Sequence, residues 1–333
     1  MTLNVLKPTP ITLDAQLLSN SATDSADAVF TAWASGSQTF TALTSFVKYN
    51  HRRYKCVQTF TRTSALTDHA PDEVDSAWWL DIGPTNWWAC LDTRTSTKTY
   101  ATGSLTVAIK PNACINSISV LGVTGAATVK VDVYKGAGRT TGAGHTVGGD
   151  LVFTKTQGMD NTFISGWYQW LFEPYEAITN LLFGALESPT LAGGVPPYYT
   201  AEVVATITGT SGAATVGCGG ILLGTAVEIG DVFYGAGADI EDYSIVNKDG
   251  FGEYEIIERG YEDNNTYQVS VLKSQIRRVH STLTALRATP CVWVGSTDYD
   301  YSPLVVFGIP GRFALTVPRL ADGVYSLEIK GLT

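Results

Sequence analysis

A chain of 333 residues has room for two or three separately packed cores. Only 16% of its residues are charged, against about a quarter in an ordinary globular protein, and the formal net charge is −9. A surface of that sign repels phosphate backbones, so no generic nucleic-acid partner is expected.

Gly, Thr, Ser and β-branched residues are abundant and turn residues recur throughout, the composition of a mainly β chain. The five cysteines (Cys56, Cys90, Cys114, Cys218, Cys291) are odd in number and far apart, with no C-x-x-C pair. They read as buried, reduced thiols rather than a disulfide framework. The N-terminus MTLNVLKPTPITLD has one Lys and no apolar signal-peptide core. No apolar run approaches the roughly 18 residues of a membrane span. A soluble protein, made in a reducing cytoplasm and released by a route such as lysis, is expected.

Residues 1–32, with Pro8, Pro10 and a polar patch at Ser19–Asp27, read as an extended arm that has little core of its own and orders against a neighbour. Residues 33–90 read as a small β unit. Phe40, Phe46, Val47 and Tyr49 precede a turn at Asn50-His51, and Tyr54, Cys56, Val57 and Phe60 follow it, which predicts a hairpin. The unit ends in Trp78–Trp88, WWLDIGPTNWW, which holds four of the chain's eight Trp. A unit this small fills its core with few, large side chains.

Residues 91–227 read as a jelly-roll-like β-sandwich. Its strands are expected at Thr99–Ile109, Ile115–Gly122, Ala127–Tyr134, Asp150–Lys155, Phe163–Phe172, Leu181–Leu186, Ala201–Thr208 and Ala214–Leu223, with a Gly-rich loop at Gly136–Gly149. Residues 228–333 read as an α+β domain, one helix lying on an antiparallel sheet. The helix is expected at Ser274–Ala288, because Ile276, Val279, Leu283 and Leu286 are spaced three, four and three residues apart and make one apolar stripe. Thr289-Pro290 stops it.

No catalytic constellation stands out. The loop GAGRTTGAGHTVGG fails both the Walker and the dinucleotide patterns. His51, His69, His145 and His280 are scattered, with no H-E-x-x-H, and there is no G-x-S-x-G elbow. Acidic pairs such as Asp231 and Asp239, or Asp298 and Asp300, read as solvated turn carboxylates. The expectation is no enzyme, no metal and no cofactor.

Two candidate contact surfaces remain. Aromatic faces stack on sugar rings, so Trp33, Tyr54, Trp78, Trp79, Trp87 and Trp88 can form a platform for a glycan or a protein partner. Consecutive Trp in an extended chain point to opposite faces, so the same residues can instead fill cores and form a packed joint between the small unit and the sandwich. Charge is uneven in the last domain: Asp231 to Asp263 carries ten acids against two bases, whereas the helix region carries Lys273, Arg277, Arg278 and Arg287. Those bases either pair with their own acidic strands, face solvent, or meet the acidic surface of an adjacent copy in a ring.

Phe46-Val-Lys-Tyr-Asn-His-Arg-Arg-Tyr54, then Pro71-Asp72, then Trp79-Leu-Asp-Ile-Gly-Pro-Thr-Asn86, resembles the small chitin-binding-type carbohydrate-binding module of tailed-bacteriophage tail proteins. His51-Arg52 stands where that module usually has Gly. Ser117–Tyr134, Phe163–Phe172 and Ala201–Thr208 are similar to the galactose-binding-like jelly rolls that follow this module in phage proteins. Leu286–Gly295 and Tyr325–Leu332 resemble the end of tail or baseplate components. The resemblance implies a virion structural protein of a tail tip or baseplate, assembled in the bacterial host cytoplasm. Its implied partners are copies of itself in a ring, tail tube, hub or fibre proteins, and a host-surface glycan; its alternative role is glycan-binding adhesion.

Overall fold

The computed structural model describes residues 1–12, 14–23, 27–63, 67–72, 77–92, 94–136, 149–159, 167–172, 178–186, 194–248, 252–297, 299–318 and 322–332. Strands take up 54% and helix 8%, the mainly β class that the composition predicts.

Chain order opens with β1 (Thr2–Pro8) and β2 (Leu17–Asn20). The small unit follows with β3 (Thr31–Ala32), β4 (Gln38–Phe40), β5 (Phe46–Tyr49), β6 (Arg52–Cys56), β7 (Phe60–Arg62) and β8 (Trp79–Pro84). Its sheets are β3-β5-β6-β8 and β4-β7. The hairpin between β5 and β6 turns on Asn50 and His51, whose φ values of 44° and 65° are those of a tight two-residue turn matched to strand twist.

Next come β9 (Thr99–Thr102), β10 (Ser104–Ile109), β11 (Ser117–Leu121), β12 (Ala126–Lys135), β13 (Asp150–Gly158), α1 (Trp167–Phe172), β14 (Leu181–Gly184), β15 (Ala201–Gly209), β16 (Thr215–Cys218) and β17 (Gly220–Val232). One sandwich face is the sheet β13-β12-β15-β10-β2; the other is β14-β11-β17. Alternate residues of each fill the space between: Val129, Val131 and Val133 with Val203, Ala205 and Ile207 on one side, Ile118, Val120, Phe183 and Leu223 on the other. Within the segment expected as a strand at Phe163–Phe172, residues 167–172 are helical instead; residues 163–166, like most of the Gly-rich loop, lie outside the described residues.

The last region holds β18 (Gly237–Asp242), β19 (Ile245–Lys248), β20 (Tyr254–Ile257), β21 (Tyr261–Leu272), α2 (Ile276–Ala285), β22 (Cys291–Val294), β23 (Val305–Thr316) and β24 (Asp322–Gly331). The expected sheet under the helix is closed. In order, β17, β1, β22, β23, β24 and β21 pair side by side, and β21 returns to β17 through Asp231↔Ser270 and Val232↔Val269. Closure leaves these six strands no free edge. The interior holds Leu3, Val5, Tyr267, Val269, Trp293, Tyr325 and Leu327, and Val279 and Leu283 of α2, together with its C-cap residue Leu286, join the same cluster. The apolar stripe read from the sequence is therefore what seats α2, and Ala288, at φ 56°, ends it in a left-handed turn before Pro290.

β17 is continuous across residues 227 and 228, pairing with β11 in the sandwich and with β1 in the barrel. Within the first 32 residues, where the sequence predicts an arm ordered against a neighbour, β1 and β2 are extended strands that pair with strands of their own chain. β1 lies between β17 and β22 with Leu3, Val5 and Leu6 fully buried, and β2 pairs with β10. Leu6 joins Leu121, Val292 and Val294 in a further cluster on the outer face of the barrel wall, in the crook between barrel and sandwich.

Candidate interaction site

Trp78–Trp88 divides between two cores. Trp33, Tyr54 and Trp79 are buried with Phe40, Val47, Cys56 and Phe60 in the small unit, and half-buried Trp78 packs on that cluster. The rings of Trp33 and Phe40 stack at 5.2 Å, and Trp79 meets both edge-on at 5.7 and 5.1 Å. Burial also raises the Tyr54 phenol above its ordinary value. Trp88 is buried in the sandwich core instead, with half-buried Trp87 packed against it. Of the six aromatic candidates, Trp33, Tyr54, Trp78 and Trp79 are thus brought together, while Trp87 and Trp88 belong to another core. Trp33, Tyr54, Trp79 and Trp88 are buried, while Trp78 and Trp87 stay partly exposed.

Arg62 sits in the small aromatic core at 1% exposure. Its guanidinium lies 4.1 Å from the Trp33 ring centroid and donates to the carbonyls of Ala34 and Gly36. A π face and carbonyl oxygens replace water around a buried cation, so it serves as a cross-brace within the core.

Between the two cores lies a polar joint. The carboxylate of Asp27, fully buried, accepts from Arg53 Nη1 at 3.1 Å and from the backbone N–H of Asn86 at 2.7 Å. Asn86 Nδ2 donates to the carbonyls of Thr23 and Tyr100, and its Oδ1 accepts from the Tyr100 N–H. Trp87 Nε1 donates to Asn20 O while Asn20 Nδ2 donates to Trp87 O. The N-terminal segment, the small unit and the sandwich are tied at one place. Sequence reasoning missed Asp27, Arg53 and Asn86, because their partners lie far away in sequence; the one visible signal was Asn86 two residues beyond the Gly83-Pro84 turn.

The second candidate surface sits on the barrel. Beyond their pairing with each other, β18 and β21 run on into the two-stranded ribbon β19-β20. One face of the ribbon is largely apolar and open, with Val246, Tyr254 and Ile256 at 60, 64 and 69% exposure; the opposite face carries half-buried Ile245 and Ile257, which is 43% exposed, beside Asn247 and Glu255. Ile240, Tyr243 and Tyr261 continue the exposed apolar surface toward the barrel, and Glu241, Asp242, Glu253, Glu255, Glu258 and Glu262 lie along the same arm. A two-stranded ribbon left uncovered by the described residues is only marginally stable in water, and an exposed apolar surface of this kind is a candidate contact site.

Lys273, Arg277, Arg278 and Arg287 are all exposed on or beside α2. Arg278 Nη2 donates to Glu228 O and Gln275 Oε1, but among the described residues no carboxylate pairs with any of the four. The first turn of α2 has no acid and carries Arg277 and Arg278 at the positive end of its dipole. Cations there are unfavourable by a few tenths of a kcal/mol each, a cost that an external acidic partner removes.

Four thiols, Cys56, Cys90, Cys218 and Cys291, are buried as expected, whereas Cys114, in the turn before β11, is exposed. Burial pushes Cys90 up to about 11 and Cys291 up to about 12. Among the described residues, no three His, Cys, Asp or Glu side chains are grouped to hold a metal, and no helix is long and apolar enough to cross a membrane. Compared with known proteins, the chain matches no family model, no curated protein and no solved structure.

Proposed function

We propose that this chain is a virion structural protein of a bacteriophage tail tip or baseplate that assembles into a ring, the acidic arm of one copy lying on the α2 face of the next. The observation that carries the assembly reading is the arm itself. It projects from a closed barrel, exposes an apolar face, is acidic along its length, and has no cover among the described residues. The exposed bases of α2 supply the complementary charge, and contacts between two unlike surfaces propagate head to tail and close when the rotation permits. The tail assignment rests on the sequence resemblance, with tail tube, hub or fibre proteins as further partners.

Light scattering across a range of protein and salt concentrations tests the assembly. The intact chain forms a closed oligomer that loosens with salt. Replacing residues 243–260 by a Gly-Gly turn leaves a folded monomer, because Asp242 and Tyr261 are already opposed across the ladder. Glu255→Lys with Glu258→Lys weakens assembly, and Arg277→Glu with Arg278→Glu in the same chain restores it. A strict monomer at every concentration, together with absence from purified virions by mass spectrometry, overturns the proposal.

A further inference from the structure

Between the sandwich and the barrel lies a cavity of about 570 Å³, with Ile178 and Asn180 on one wall and Ile240, Asp263, Asn265 and Val305 on the other. Asn265 is 2% exposed, and its hydrogen bonds fix how its amide is turned. Tyr267 donates its hydroxyl proton to Leu304 O at 2.8 Å, so toward Asn265 the Tyr267 oxygen can only accept. The Pro303 carbonyl can only accept as well. Asn265 therefore directs Nδ2 to both, at 2.8 and 3.1 Å. Its Oδ1 is left as a buried acceptor with no partner in the protein. Such an atom costs about 1–3 kcal/mol if nothing donates to it.

Asp263 stands two residues away on the same face of β21, opposite Ile240. Burial raises its carboxyl above the ordinary carboxylate range. Among the described residues no cation lies at ion-pair distance from it; Lys98 lines an adjoining cavity of about 410 Å³ that Asp263 and Asn180 share. Asp239 also lines the cavity, but it alternates to the other face of β18, where it opposes Asn264 and its Oδ1 accepts from the Ile240 N–H, so this face of the ladder presents one carboxylate and one amide oxygen. A divalent ion asks for six or more oxygens, usually with more than one carboxylate. One negative charge and one neutral acceptor beside an apolar wall match a monovalent donor with a hydrocarbon stem.

We infer that this cleft binds a protonated alkylamine, its ammonium donating to Asn265 Oδ1 and the Asp263 carboxylate, its methylenes lying along Ile178, Ile240 and Val305. The shared chemistry has two sources, a lysine side chain of a neighbouring protein chain or a free small amine. The site does not depend on ring formation, since all its walls belong to one chain.

The test is an amide NMR titration of the full chain with n-butylammonium, and with n-butanol as the neutral isostere. Saturable shifts at Asp263, Asn265 and Ile240 are expected with the amine and none with the alcohol. Asp263→Asn, which keeps the side-chain shape, weakens amine binding about tenfold, the loss of one charge-assisted hydrogen bond. Asn265→Leu weakens it too, with circular dichroism reporting that the variant is folded; should it not fold, Asp263→Asn decides alone. Nα-acetyl-lysine methylamide and putrescine form the two further arms, and whichever binds more tightly identifies the source. Absence of saturable shifts, equal shifts with butanol, unchanged affinity in Asp263→Asn, or the same shifts produced by calcium chloride each overturn the inference, the first leaving water as the donor to Oδ1.

Discussion

The imidazole of His51 lies 4.0 Å from the indole of Trp88, inclined at 32°, and its Nε2 is 2.6 Å from Asp14 Oδ1. His51 belongs to the hairpin turn of the small unit and Trp88 to the sandwich core, so a single ring contact joins the two. The contact explains why a non-Gly residue occupies a turn position at φ 65°. Holding it there costs about 1–2 kcal/mol, partly offset by an aromatic contact of about 0.5–1.5 kcal/mol. His51→Asn separates the two effects, because Asn enters the left-handed region readily but cannot cover Trp88. The expected result is an intact hairpin with a more solvent-exposed Trp88, read as a red shift in tryptophan emission, and a broader distribution of domain angles in small-angle scattering. An unchanged emission and scattering profile would show that the stacked ring does not hold the joint.

Asp27 is the second strand of the same joint. Removing its carboxylate in Asp27→Ala leaves the Arg53 guanidinium and the Asn86 N–H without their acceptor. Arg53 is partly exposed and recovers some hydration, so the loss is about 2–3 kcal/mol rather than the full penalty of a buried unpaired charge. Urea unfolding followed by tryptophan fluorescence measures it. The double variant Asp27→Ala, Arg53→Met should lose less than the sum of the single changes, since each removes part of the same interaction.

Much of the fold is local and therefore legible. The stripe Ile276, Val279, Leu283, Leu286 identifies α2 because a helix repeats its face every three or four residues, and alternation at Ala127–Tyr134 or Ala201–Thr208 identifies strands in the same way. What is not legible is pairing over long sequence separation. β1 has only Leu3, Val5 and Leu6 to show, and its position is set by Val5 opposing both Val227 and Trp293. Barrel closure rests on two pairs, at Asp231 and Val232, that leave no periodic trace. The aromatic run at Trp167–Phe172 resembles a strand in composition, yet it is helical. The candidate residues split for the same reason. The charge of Arg277 and Arg278 can be read directly, but whether Trp79 faces solvent or a core depends on Phe40 and Phe60, whose approach only the fold determines. The Asn265 acceptor depends on Tyr267 and Leu304, and no spacing rule connects all three.

The buried thiols give a pH dependence with a definite sign. In the unfolded chain a thiol ionises near its ordinary 9.0, whereas in the folded protein Cys90 holds its proton to about 11 and Cys291 to about 12. Below pH 9 both states are protonated and the thiols contribute no pH dependence. As pH rises from about 9 toward those folded values, the unfolded state loses protons first, and stability falls. Urea midpoints at pH 8 and pH 10 should therefore differ, with the lower midpoint at pH 10, and Cys90→Ala should shallow the slope. In the native state a thiol reagent should modify Cys114 promptly and the four buried cysteines only on unfolding. Rapid native modification of Cys90 would contradict its burial.

Gly83 sets the path from one core to the other. Arg53 opposes Gly83 and Tyr54 opposes Asp81, so Ile82 is the extra residue of a bulge, and Gly83 takes φ 128°. A side chain there would meet little, the nearest atom being Arg53 Nη2 at 3.9 Å. The constraint is therefore conformational and not a matter of space. The turn delivers Thr85, whose N–H donates to His51 O at 2.8 Å, and then Trp88, whose N–H donates to Thr85 O. Gly83→Val must either hold a β-branched residue in a region it rarely occupies, at about 1–3 kcal/mol, or straighten β8 and release Thr85. Either way the strain falls on the connection between small unit and sandwich, while Trp79 and Trp88 keep their own cores. The expected outcome is two folded units with an altered mutual angle: near-native secondary structure by circular dichroism, a changed scattering envelope, and loss of hydrogen-exchange protection at Thr85. Gly83→Ala should show the same changes to a smaller degree, because Ala lacks the branching that worsens the strain. A native scattering profile with protected Thr85 in Gly83→Val would mean that the joint is set by the Asp27 and His51 contacts alone.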